Sequence, residues 1–193
     1  MHRTELHLAP LSAGHPIYFA LRSVGDSQDS FCLAVGHIED GRGVLDCLVE
    51  HKPPFSPEAA ISDLCAVLQE YRLSMTTGDR YASGFNSELF RKHGVEYYYS
   101  DRTTSDYFGG LLPILNSRRC RLLDNKRLAS QLCSLERRPY PIGAKDSISH
   151  PPGSHDDCAA AVAGLMVRMI GVRDYTPKSF QFRLSTHTRL APT

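Results

Sequence analysis

The sequence lacks the features that announce many common functions. No stretch approaches the roughly 20 apolar residues a membrane span needs. Met1 to Pro16 carries histidines and a glutamate where a secretory signal would have a long apolar core. No G-x-x-x-x-G-K-S/T loop is present to cradle phosphates, and no G-x-S-x-G elbow to expose a nucleophilic serine, so an NTPase and a serine hydrolase are disfavoured. The six cysteines, Cys32, Cys47, Cys65, Cys120, Cys133 and Cys158, include no Cys-x-x-Cys pair. They fall inside apolar runs, where a free thiol behaves as a small hydrophobe. The expectation is reduced, buried thiols in a cytosolic protein, without disulfides. With no Cys/His pairs at ligand spacing, a structural zinc site is not expected either. Internal repeats and low-complexity tracts are absent.

What is present is ordinary in bulk. The 193 residues, 41% hydrophobic and 22% charged, suit one globular domain with a proper core. A net charge of +1 does not mark the whole chain as a nucleic-acid binder. Its distribution says more. From Arg118 to Arg138 seven basic residues (Arg118, Arg119, Arg121, Lys126, Arg127, Arg137, Arg138) stand against Asp124 and Glu136, a local surplus of five. Such a segment attracts phosphate, although charge alone would equally suit a solvated helix face.

Along the chain, Ile17–Leu21, Phe31–Ile38 and Gly43–Glu50 read as strands. The last two form a hairpin through Glu39-Asp40-Gly41-Arg42-Gly43. The strand at Cys32 is too apolar for clean alternation, which predicts cover on both faces. Ser56 caps a helix with Pro57 at its first position, and Ile61, Leu64, Cys65, Leu68 and Tyr71 follow at helical spacing. Leu73–Thr77 and Val95–Tyr99 read as strands around a short helix at Ser87–His93. The tyrosines Tyr97, Tyr98 and Tyr99 are taken as structural. Ser105–Leu115 and Lys126–Leu135 are helices, the second with Leu128, Leu132 and Leu135 on one face. Pro139–Gly153 is loop with a short strand near Ile148. The last helix, from about Asp156 to Ile170, has the stripe Ala159, Val162, Ala163, Met166, Val167 and Ile170. A domain over 1–173 and a polar, poorly ordered tail over 174–193 follow. Strands first, then strands alternating with helices, imply an α/β mixed sheet covered on both faces. A ribonuclease-H-like fold is compatible with that order, which does not single it out.

Two places suit chemistry. Asp79 sits where an apolar strand runs into a glycine-containing turn, and strand C-terminal ends are where ligands meet α/β sheets. A carboxylate there can hold a hard cation; it can also bond its own backbone in a turn. Asp156 and Asp157 open the last helix, where a carboxylate suits the positive end of the dipole without any metal. Brought together with Asp79 at one sheet edge, they would suit phosphodiester hydrolysis by two ions about 3.5–4 Å apart. His155 is a neighbouring partner, a ligand or a surface residue.

Several segments then resemble the nuclease domain of phage terminase large subunits: Thr77-Gly78-Asp79-Arg80-Tyr81-Ala82, Phe90-Arg91-Lys92-His93-Gly94-Val95, Leu111-Leu112-Pro113-Ile114-Leu115-Asn116-Ser117, Leu122-Leu123-Asp124, Gln131-Leu132, Leu135-Glu136-Arg137-Arg138 and His150-Pro151-Pro152-Gly153-Ser154-His155-Asp156-Asp157. Each is weak alone. Their joint order, from about Asp29 to Val167, is specific. The resemblance implies a ribonuclease-H-like fold and a Mg²⁺ or Mn²⁺ site of acidic residues, with Asp79 as one ligand and Asp156 or Asp157 as another. It implies double-stranded DNA as substrate, cut during packaging in the bacterial cytoplasm. It also implies partnership with an ATPase motor, a small terminase subunit or a portal. The segment ahead of the resemblance leaves no room for the motor, and whether a separate chain supplies it is left open by the sequence.

Two departures stand out. The family's first strand ends in an aspartate, a Gly-rich turn and an Asp-Ser pair. Asp29-Ser30 fits the pair, but counting back lands on Arg22, or on Ser23 if the turn is shorter. Neither replaces a carboxylate, and a guanidinium would repel a cation. Asp26, inside the turn though displaced along the chain, or Asp29 is the candidate to supply the missing carboxylate. Thr103-Thr104-Ser105 also stands where related sequences tend to carry a lysine. Three readings follow: an active metal-dependent endonuclease, a non-catalytic DNA-binding or packaging-associated module, and a decayed prophage remnant.

Overall fold

A computed structural model describes residues 3–7, 19–24, 30–78, 84–139 and 146–170, with backbone alone for 3–7, 19–24 and 84–86. Asp26, Asp29, Asp79 and the 174–193 tail lie outside the described residues.

The hairpin organises the sheet. β3 (Phe31–Glu39) and β4 (Arg42–His51) pair antiparallel around Asp40 and Gly41, whose φ angles are 49° and 74°. Two left-handed central residues give the turn whose twist matches the flanking strands. Both strands are buried on both faces, as their apolar runs require. Cys32, Ala34, Leu45 and Leu48 enter one core, and Leu33, Val35, Cys47 and Val49 the other. Each buried Leu or Val contributes on the order of 1.5–3 kcal/mol over exposure.

β2 (Phe19–Val24) pairs antiparallel with β3, two residues later than the sequence suggests at its start and three at its end. β5 (Met75–Gly78) pairs parallel with β2, and β6 (Glu96–Tyr99) parallel with β5. β1 (Arg3–His7) pairs antiparallel with β4, and β7 (Cys120–Arg121) parallel with its start. The order β1-β4-β3-β2-β5-β6 contains a three-stranded antiparallel meander continued by two parallel strands. With helices on both faces this is a ribonuclease-H-like α/β fold.

α1 (Pro57–Glu70), capped by Ser56 as the sequence indicates, and α2 (Gly84–Lys92) cover one face. α3 (Thr104–Asn116), α4 (Lys126–Cys133) and α5 (Asp157–Ile170) cover the other. A small ribbon of β8 (Glu136–Arg138) and β9 (Ser147–Ser149) stands apart, tied to α3 by the Ile148 N–H donating to Ser105 Oγ at 2.9 Å. Four expectations change. α5 has no solvent face over most of its length: every residue from Asp157 to Val167 is buried, because α3 and α4 cover the side away from the sheet. Cys133 is exposed and Cys120 half-buried, unlike the other four thiols. Tyr98 and Tyr99, on an edge strand, are 49% and 46% exposed, so only Tyr97 of the three joins the core. β1, β7 and β8 are strands that the sequence pattern does not predict. Among the described residues, no helix is long and apolar enough to cross a membrane.

Candidate functional site

Because β2 and β5 run parallel and β3 antiparallel to β2, their two C-terminal ends meet the beginning of β3 at one edge. The N-terminus of α5 lies over that edge. The Ser30 backbone N–H donates to Asp157 Oδ2 at 3.0 Å, and both residues are buried. Asp156 precedes the helix, and its carbonyl accepts from the Ala160 N–H at 2.7 Å. The Ala159 N–H donates to Oε1 of buried Gln131 on α4 at 3.0 Å, so α4 satisfies part of the helix start. An acidic residue here is favoured by the helix dipole. Asp157 is 5% exposed. Asp156 is half-buried and His155 exposed.

Sheet register defines what lies beside Asp157. Ser23 of β2 is the partner of Cys32, and Cys32 is the partner of Glu50. This row crosses the sheet beneath the first turn of α5, where Cys158 Sγ lies 3.5 Å from Cys32 Sγ. The ligating atoms of Cys32, Glu50 and Cys158 all fall within 4.8 Å of one another. Glu50, 4% exposed, accepts from Arg127 Nε at 2.7 Å, which offsets its buried charge. Burial, and then the neighbouring Cys158 thiol, push Cys32 well above the ordinary thiol range. A cleft of about 240 Å³ opens beside this row, lined by Glu50, Lys52, Asp124, Lys126, Arg127 and Cys158 among others.

Position 22 falls in a different row of the sheet. Its partners are Leu33 on β3 and Gly78 on β5. Leu33 is in the core beneath α1, whereas Cys32 is in the core beneath α5. Position 23, not 22, therefore shares the row of Cys32 and Glu50, beneath the first turn of α5. Gly78 closes β5, and Asp79 is the next residue. A side chain at 78 has no space, since a Cβ there would lie 2.1 Å from Tyr97 Oη. Tyr97 is itself stacked on Phe90 at 5.5 Å between ring centroids.

The basic segment is divided. Arg118, Arg119 and Arg121 are exposed next to the β3–β4 turn, with Arg121 3.1 Å from Glu39 and the Arg119 Nε–H donating to Ser117. Lys126 and Arg127 lie at the other end of β4, by the cleft. Along β4 the two groups are roughly 20 Å apart, at about 3.3 Å per residue. Arg137 and Arg138 pair with Asp146 and Glu136. Thr103 caps α3 in a reciprocal capping box with Asp106. Ser30, Cys32, Glu50 and Cys158 do not stand out as site residues in the sequence. The one available signal is Glu50, an acid closing an apolar strand.

No family model matches the sequence, and no curated protein does either. Solved structures do. The large-terminase nuclease from thermophilic phage G20c superposes with a TM-score of 0.73 at 16% identity, over 86% of this chain and 88% of that one. The same nuclease with bound magnesium gives 0.71 at 16% identity, over 86% and 87%. The large terminase of another thermophilic bacteriophage gives 0.66 at 12% identity, over 84% of this chain and 42% of that one. At such identities the likeness is one of architecture, and it establishes that this chain carries, over most of its length, the fold of phage large-terminase nuclease domains.

Proposed function

We propose that the chain is a metal-dependent DNA endonuclease domain of a phage or prophage DNA-packaging terminase large subunit. The observation that carries this reading is Asp157: a buried carboxylate, oriented by Ser30, at the sheet edge where β2 and β5 end, in a fold shared with a nuclease that binds magnesium. Oxygen donors suit a hard cation such as Mg²⁺ or Mn²⁺. Asp157, together with Asp79 and Asp156, would hold the cation, and Asp26 is the candidate for the ligand that β2 does not supply. When bound, the cation activates the attacking water and neutralises charge on the phosphate. This chain's own residues orient the site: Ser30 fixes one oxygen of Asp157, and Gln131 fixes the helix start. His155, exposed beside Asp156, is a partner for substrate or water. Lys126 and Lys52, by the cleft, and Arg118, Arg119 and Arg121, at the far end, are the proposed phosphate contacts along double-stranded DNA. Arg127 acts through Glu50. A motor chain, a small terminase subunit or a portal are the proposed partners.

The test is cleavage of supercoiled plasmid over a Mn²⁺ or Mg²⁺ titration. Cutting should depend on metal, stop with chelator and fall at least a hundredfold in Asp157→Asn. Metal-independent cutting, or full activity in Asp157→Asn, would sink this reading. A non-catalytic DNA-binding module is the second reading. It is favoured by the absence of an acid at both Arg22 and Ser23, and it predicts DNA binding with no cleavage at any metal concentration.

A further inference from the structure

Beside the carboxylate edge, three ligating side chains from three elements converge. Cys32 comes from β3, Glu50 from its cross-strand partner on β4, and Cys158 from the first turn of α5. All three are buried, with ligand atoms within 4.8 Å of one another. The two Sγ atoms are 3.5 Å apart. A disulfide would need about 2.05 Å. A tetrahedral zinc with Zn–S bonds of about 2.3 Å would place its sulfurs about 3.8 Å apart. The thiols therefore stand close to ligand spacing without a bridge. Two soft sulfurs and one carboxylate select a borderline-soft cation over Mg²⁺. The charge also balances. Two thiolates and Glu50 carry three negatives, a divalent cation supplies two positives, and Arg127, 2.7 Å from Glu50, supplies the third. Glu50 and Cys158 also line the cleft, which gives a water access to the fourth position.

We propose that Cys32, Glu50 and Cys158 form a binding site for a thiophilic divalent cation, zinc first, separate from the carboxylate site at Asp157. On binding, two S–H bonds break and two metal–sulfur bonds form. Both protons pass to solvent, and no atom changes oxidation state. The ion ties the start of α5 to β3 and β4. The proposal stands independently of nuclease activity.

The experiment is a Co²⁺ titration of the chain carrying Cys133→Ser, which removes the exposed thiol. One equivalent should develop a thiolate-to-cobalt charge-transfer band that Zn²⁺ abolishes. Cys32→Ala and Cys158→Ala should lose the band, whereas Asp157→Asn should keep it while losing any Mg²⁺-dependent cleavage. Glu50→Gln, which keeps both thiols and the side-chain volume, should weaken Co²⁺ binding at least tenfold and serves if a cysteine variant does not fold. A folded parent chain with no charge-transfer band at excess Co²⁺ would overturn the site. So would a band that survives both cysteine substitutions, or an unchanged affinity in Glu50→Gln.

Discussion

Parallel pairing sets Arg22 beside Gly78, while the next position joins Cys32 and Glu50 in the row under the first turn of α5. An acid at 23 would bring a further oxygen donor towards the cation proposed at Asp157; position 22 pairs instead with Leu33, which belongs to the core beneath α1. Ser23→Asp should therefore lower the Mn²⁺ concentration needed for plasmid cleavage by tenfold or more, and Arg22→Asp should leave it unchanged. The opposite ranking would put position 22, not 23, on the side of the carboxylate site. Counting along the sequence leaves 22 and 23 open, because a one-residue slip exchanges the two faces of a strand and the count cannot fix it. Cys32, Glu50 and Cys158 are hidden for a related reason. Metal motifs are recognised by short spacing, and these ligands are separated in sequence and meet through sheet register and helix docking. The lack of short Cys/His spacings speaks against a local zinc motif and says nothing of ligands gathered by the fold.

At the scale of elements, most of the helices and the hairpin are legible in the sequence. Their signals are local: Ser56-Pro57, Asp40-Gly41, and apolar residues at helical spacing. The burial of α5 on all sides is less so, since its small residues, Ala159 to Ala161, Ala163 and Gly164, carry little hydrophobic signal yet allow close approach. Gly110 of α3 shows how close. A Cβ there would lie 2.9 Å from Val167 Cγ2. Gly110→Ala should cost about 1–3 kcal/mol through overpacking, despite the better helix propensity of alanine. Thermal or denaturant unfolding measures this, and a variant as stable as the parent would show that α3 and α5 have room to separate. The short strands β1, β7 and β8 escape sequence reading because two or three residues, or an isolated segment near a terminus, form a strand only where a partner is offered.

At the scale of the whole molecule, the basic residues that look like one cluster in the sequence occupy two ends of β4. Arg118, Arg119 and Arg121 lie by the hairpin turn, far from Asp157, and Lys126 lies by the cleft. Reversing the three arginines to glutamate should weaken DNA binding and reduce the slope of log affinity against log salt by roughly 2–3, at about 0.9 for each phosphate no longer neutralised. Cleavage at saturating DNA should fall far less than affinity. Filter binding or fluorescence anisotropy across a salt series decides it; an unchanged slope would make these arginines ordinary solvated surface. The fold class is readable from element order and the joint order of weak motifs. The separation of the charges is not, because proximity in sequence says little about which end of a strand a residue reaches.

The enclosure of α5 also bears on how such a chain can diverge. A helix held on all sides leaves little freedom to move its backbone, so change at its first turn must come through the identity of side chains on a nearly constant frame. Substitutions at Asp157 and Cys158 on that turn, or at Ser23, Cys32 and Glu50 on the strands, would exchange oxygen for sulfur, or charge for neutrality, at fixed positions. Architecture can then persist at 16% identity while the donor chemistry of the same edge is rewritten one residue at a time.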